Sequence, residues 1–158
     1  MNAPPADPVM PVAVVMEWRD DHGNRWLERR WSCVGVACGA AHAAPPAAAP
    51  EPAVIHRDAH GEQWLWRGLA VRLYRDELES YYQNLMGAAP GVFVVTRPDA
   101  RGDPYPWLVT LCYDQAGNCM EVDETVHKVA MPAELYRWLE AYVLAGYAPE
   151  PRHKRQRS

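Results

Sequence analysis

His56 and His60, separated by three residues and flanked by Asp58 and Glu62, are the one place in the sequence where a metal would first be sought. Imidazole and carboxylate are ligands that zinc accepts, and histidines at i and i+4 share a face when the chain is helical. Here the segment follows a Pro-rich stretch and includes Gly61, so it reads as a turn. Two ligands fall short of the three or four that a site needs, and the expectation is no metal and no cofactor. Cys33, Cys38, Cys112 and Cys119 are spaced C-x4-C and C-x6-C, neither of which is the C-x2-C knuckle of a structural zinc site. Asp114-Gln115-Ala116-Gly117 fits a type I turn with Gly117 in a left-handed bulge, pairing Asp114 with Asn118 across a hairpin. That register sends Cys112 and Cys119 to opposite faces of a sheet, whereas a four-residue loop would set them side by side. Buried structural thiols are the reading adopted.

Nucleophilic catalysis has no foothold. G-x-S-x-G, a Walker-type glycine loop and G-x-G-x-x-G are all missing from the sequence, and the three serines are Ser32, Ser80 and Ser158. The expected protein is not an enzyme. Aromatic residues are the more informative group, with seven Trp and eight Tyr beside a single Phe. Trp64, Trp66, Tyr81, Tyr82 and Asn84 are candidates for a ligand pocket with an apolar body and polar tips. The same five side chains suit a packed interface between a sheet and a helix. Trp26 and Trp107 are candidates for protein-binding anchors, since Trp, Tyr and Arg dominate such contacts.

These residues need elements to position them. Val9–Trp18 alternates apolar and mixed positions and reads as a strand, reversed by the turn formers at 20–24. A second strand runs from about Arg29 to Cys38 and, being apolar on both faces, is expected to be central. Residues 39–52 form an Ala/Pro-rich loop. A short strand over 53–57 precedes a long one over 63–74. There the apolar parity changes at Gly68, the mark of a bulge. Arg75–Met86 carries a helical stripe ended by Gly87, and Gly91–Arg97 is a buried strand. A hairpin of Trp107–Tyr113 with Cys119–Val129 follows, then a second helix opened by Pro132 and striped by Leu135, Trp138, Leu139, Tyr142 and Val143. The expected fold is α+β: a twisted, mainly antiparallel or barrel-like sheet of six to seven strands with two helices packed on it. It occupies residues 9–147, between a disordered stretch at 1–8 and a basic tail at 148–158.

The chain has 158 residues, one domain's worth, and at 49% apolar and 23% charged it is globular in composition. Its net charge of −4 hides an asymmetry: Arg152, Lys154, Arg155 and Arg157 lie in the last seven residues. Taking those four from the 16 basic residues leaves 12 against 20 acidic ones, a body too acidic to favour a phosphate backbone. The tail reads either as a solvated terminus or as a dock for an acidic partner surface. No apolar run approaches the ~20 residues of a membrane helix, and residues 1–8 lack the pattern of a secretory signal, so a cytoplasmic location without membrane contact is expected.

The strand PVAVVMEWR, the later RWSCVGV, the segment LYRDELESYYQNL running into GVFVVTR, and LCYDQAGNCMEVDETVHKVAMP with the helix after it resemble a proteobacterial family catalogued as domain of unknown function 3305. The likeness covers most of residues 11–150 and is most specific at Leu73–Glu77 with Tyr81, Tyr82 and Asn84, and at Glu124-Thr125-Val126 before Met131-Pro132. The resemblance brings no catalytic residues. It implies genes lying beside those of molybdenum-dependent formate dehydrogenases, hence an accessory role with formate dehydrogenase subunits or maturation factors as partners. A small-ligand binding domain built on the aromatic group is the alternative.

Overall fold

In a computed structural model, which describes residues 8–20, 29–43 and 51–146, seven strands form two antiparallel sheets and three α-helices pack around them. The first sheet has the order β2-β1-β4-β3, with β1 at Val9–Arg19, β2 at Arg30–Cys38, β3 at Pro52–Asp58 and β4 at Gly61–Arg72. The second has the order β6-β5-β7, with β5 at Gly91–Pro98, β6 at Pro104–Thr110 and β7 at Thr125–Ala130. Helices α1 (Leu78–Met86), α2 (Tyr113–Glu121) and α3 (Ala133–Gly146) complete it. β4 approaches β6 and β2 approaches β7, yet no ladder joins the sheets, so the barrel is not closed. One core fills the space between them: Val12, Val14 and Met16 of β1, Val71 of β4, Val92 and Val94 of β5, Tyr81 of α1, and Leu135 and Leu139 of α3 are all buried.

The bulge expected at Gly68 is present. Val12 pairs with Leu69 and Val14 with Trp66, so Arg67 and Gly68 together oppose one residue of β1, and Gly68 takes φ 87°. The extra residue turns the even-numbered Trp64 and Trp66 and the odd-numbered Leu69 and Val71 to the same interior face. A second bulge does the same in β2, where Val15 pairs with Gly35 and Met16 with Cys33, leaving Val34 unpaired and 49% exposed. This second shift corrects the expectation of a central strand. β2 is an edge strand whose apolar residues look double-sided because parity switches at Val34, with Trp31 and Cys33 before it and Val36 and Cys38 after it packed on the core.

The hairpin expected over 107–129 is not formed: its strands are present as β6 and β7, but Tyr113–Glu121 between them is a helix, which makes three α-helices rather than two. Two caps explain it. The Cys112 Sγ accepts the Gln115 N–H at 3.4 Å, and the buried Ser80 hydroxyl of α1 accepts the Tyr113 N–H at 3.0 Å. Both satisfy first-turn donors that have no partner within the helix. Ala116 then seats the helix in the interior at 2% exposure. With α2 between them, β6 and β7 both pair with β5 and the chain crosses over that central strand. The register argument for Cys112 and Cys119 lapses, since both now belong to a helix and its cap; all four thiols are free.

Gly117 tests this assignment. It lies mid-helix, its φ is not positive, and nothing stands within 4 Å of a Cβ placed on it. Gly117→Ala is therefore expected to raise stability by roughly 0.5–1 kcal/mol in urea unfolding. A left-handed bulge at this position would make the same change destabilising.

Candidate interaction surfaces

Strand register builds the densest side-chain cluster. Trp31, Trp18, Glu62 and Arg57 form one row across β2, β1, β4 and β3, and Cys33, Met16, Trp64 and Val54 form the row two residues further along, three on β3 where the register shifts between Val54 and His56. Period-two geometry puts both rows on the face that carries the core. Glu62 organises them: its Oε1 accepts the indole N–H of Trp64 at 2.8 Å and of Trp18 at 3.2 Å, while its Oε2 accepts from Arg57 at 2.6 Å. The Trp64 hydrogen bond, with that of Arg57, holds the Glu62 carboxyl below its usual range, so the acceptor stays ionised. Trp31 stands edge-on to Trp64 with centroids 5.2 Å apart, and the Arg29 guanidinium lies 4.2 Å above Trp18. Three indoles and two guanidiniums are thus held in fixed geometry.

The histidine pair sits beside this cluster and is used otherwise. The Asp58 carboxyl is held at about 2, first by the backbone N–H of His60 and then by Arg19, which reaches it at 3.0 Å. His56 approaches the same carboxylate at 3.5 Å, while the His60 ring faces Asp20 at 3.3 Å. Among the described residues no three His, Cys, Asp or Glu side chains gather in a way that could hold a metal.

A second indole–carboxylate–guanidinium trio occupies the other sheet. Glu124 accepts the Trp107 N–H at 2.7 Å and Arg97 at 2.9 and 3.1 Å, and that guanidinium lies 3.7 Å over the Trp107 ring. The Arg97 hydrogen bond lowers the Glu124 pKa. Trp107 is consequently tied to its own chain on its polar edge and covered on one face.

Hollows accompany these clusters. One of about 690 Å³ runs between Pro90, β7 and the start of α3, with an apolar floor that includes Val129 and Met131 and with Lys128, Tyr136 and Arg137 around it. Across Lys128 lies a smaller one of about 240 Å³, lined by Asn84, Phe93 and Tyr113. A third, about 380 Å³, separates β4 from β6 between Trp66, Tyr105 and Trp107.

Of the five residues considered as a ligand pocket, no more than one lines any of the hollows described: Asn84 the hollow across Lys128 and Trp66 that between β4 and β6. Tyr81 is in the core, its hydroxyl accepting the Tyr74 N–H at 2.9 Å; burial raises its pKa. Its neighbour Tyr82 is 41% exposed. The Asn84 side chain is occupied by main-chain groups of Gly91 and Leu111. Trp64 belongs to the Glu62 cluster, and Trp66 lines the β4–β6 hollow with its indole N–H buried and without an acceptor. Trp26, Arg152, Lys154, Arg155 and Arg157 lie outside the described residues. Sequence reasoning considered Glu62 only as a flank of the histidine pair, and did not single out Trp18, Trp31, Arg57, Lys128, Tyr136 or Arg137 as site residues. Alternation within β1 and β2 marks the faces of Trp18 and Trp31, but their meeting at Glu62 depends on register.

The family model described as Protein of unknown function (DUF3305) matches residues 11–156. The chain belongs to this family. Neither the curated proteins nor the solved structures contain a match to it. The DUF3305 match takes in both sheets and all three helices apart from the first two residues of β1, so the Trp–Glu62 cluster and the hollows described all fall within the family's span. No described helix in this DUF3305 chain is long and apolar enough to cross a membrane.

Proposed function

We propose that this DUF3305 chain is a non-catalytic, cytoplasmic accessory protein that works by binding another protein. The partner we propose is a subunit or maturation factor of a molybdenum-dependent formate dehydrogenase. One observation carries the binding reading: Trp18, Trp31 and Trp64 with Arg29 and Arg57 form a single prearranged face around Glu62. Trp and Arg are the residues that supply most interface energy, and side chains already held in place lose less entropy on association. The gene association implied by the family resemblance supplies the partner's identity.

Full-length tagged protein incubated in native extract at low salt is expected to retain oxidoreductase subunits identifiable by mass spectrometry. The double substitution Trp31→Ala with Arg57→Glu is expected to lose them while keeping a native circular dichroism spectrum. Retention of no such subunit by the unmodified protein would overturn the proposal. A small-ligand site is the second reading, and the β4–β6 hollow with its acceptorless Trp66 N–H is the observation in its favour. A rise in melting temperature with a small metabolite, lost in Trp66→Phe, is its signature.

A further inference from the structure

The groove along β7 inverts the charge of the molecule. In a chain of net charge −4, the charged residues lining the hollows on either side of Lys128 are Lys128 and Arg137, both cationic. Neither forms an ion pair within the described residues, and Glu134, one turn before Arg137, is not among the residues that line the groove. The floor is apolar, with Pro90, Val129 and Met131. An occupant suited to it carries two carboxylates interleaved with apolar side chains.

That pattern is displayed on the same chain. At the C-terminal end of α2, Met120, Glu121, Val122 and Asp123 are all exposed, Met120 to 60% and Val122 to 66%. The turn is shaped rather than loose. The Val122 and Glu124 N–H groups both donate to the Cys119 carbonyl, the Asp123 N–H donates to Met120, and Asp123 takes φ 67°. Glu124 at its base is clamped by Arg97 and Trp107. Glu121 and Asp123, in contrast, have no ion-pair partner among the described residues. This turn cannot fill the groove of its own chain. β7 is held extended against β5, which places its first residue, Thr125, about 10 Å from Lys128 at ~3.3 Å per residue, with the turn beyond it.

We propose that the 120–123 turn of one copy seats in the Lys128–Arg137 groove of a second copy. Two such contacts about a twofold axis then make a symmetric dimer. A self-complementary patch that carries both halves of a contact closes in this way, residue i meeting j and j meeting i. The interface is in the small class, below about 1,200 Å² of buried surface, so association is weak and weakens further with salt. The proposal is independent of the Trp–Glu62 face, which lies on the other sheet.

Sedimentation of the full chain across a concentration series tests it. The average mass is expected to rise from 17.8 kDa towards the dimer value at low salt and to fall back as salt is added. Two variants are compared: a groove variant, Lys128→Glu with Arg137→Glu, and a turn variant, Glu121→Lys with Asp123→Asn. Asparagine at 123 retains the left-handed backbone without strain. Each variant alone is expected to dissociate at least ~10-fold more readily than the unmodified protein. Mixed in equal amounts, they are expected to recover association, because the acidic groove of one then faces the basic turn of the other. Circular dichroism and the melting temperature of each variant at low concentration check that both fold. A chain that stays monomeric at every concentration, a dimer indifferent to both variants, or a mixture that fails to re-associate would each overturn the proposal. Loss of the formate dehydrogenase partner in Trp31→Ala with Arg57→Glu alters none of these outcomes.

Discussion

Asn84→Ala is expected to lower the unfolding free energy by roughly 2–4 kcal/mol, read from the midpoint of a urea transition. The side-chain amide donates to the Gly91 carbonyl at 2.9 Å and the Leu111 carbonyl at 3.0 Å, while its oxygen accepts the Gly91 N–H at 3.0 Å. One residue of α1 thereby ties the first residue of β5 to the residue that follows β6. Alanine leaves two carbonyls and one N–H without their partners at a half-buried position, and the cost of unpaired groups exceeds the worth of the bonds themselves. Asn84→Asp provides the control on polarity. A carboxylate set against two carbonyl oxygens is disfavoured, so its folded pKa lies above the unfolded value. The penalty is largest well above that folded pKa and is relieved as the pH falls through it, when the protonated acid can donate once. A change of less than about 0.5 kcal/mol in Asn84→Ala, the range of ordinary surface substitutions, would remove Asn84 from this role.

Gly61→Ala is expected to cost roughly 1–3 kcal/mol, because a Cβ there would collide with the backbone carbonyl of Trp18. Gly61 is buried and pairs with Arg19 on one side and Asp58 on the other, one residue before Glu62 of the Trp cluster. The obstacle is main chain, so rotating a side chain cannot relieve it. The indoles of Trp18 and Trp64, both bonded to the adjacent Glu62, are expected to report the shift through altered fluorescence emission. Gly35→Ala is the matched comparison, since nothing lies within 4 Å of a Cβ at that strand position, and it is expected to be neutral or slightly stabilising.

Much of the architecture follows from patterns confined to a few residues. The alternation in Val9–Arg19, the six buried residues beginning β5, the parity change at Gly68 and the stripe of Leu135, Leu139 and Val143 in α3 each point to one element, and each element is present. The two corrections share a physical cause. Gly117 and Asn118 favour a turn by local preference, yet Ser80, 33 residues before Tyr113, caps a helix there and Ala116 is buried beneath it. Val34 extends an apolar run that looks central, yet the neighbouring strand leaves it unpaired on the outside. In both places a partner distant in the chain overrode a local preference worth about 1 kcal/mol or less.

The candidate surfaces divide along the same line. Composition and spacing by themselves determined an aromatic-rich, acidic α+β chain with a buried β5, a bulge at Gly68 and a helical stripe in α3, because such signals are carried by residues within one or two turns of each other. Only the tertiary structure decided which aromatics meet. Glu62 gathers Trp18 from 44 residues away, Asn84 is drawn from a proposed pocket into a main-chain staple, and Lys128 and Arg137 come to share one groove. Those pairings are set by strand register and by helices packing across the sheets. Register depends on bulges whose effect is to exchange the two faces of a strand, and a shift of one residue exchanges every side chain on it.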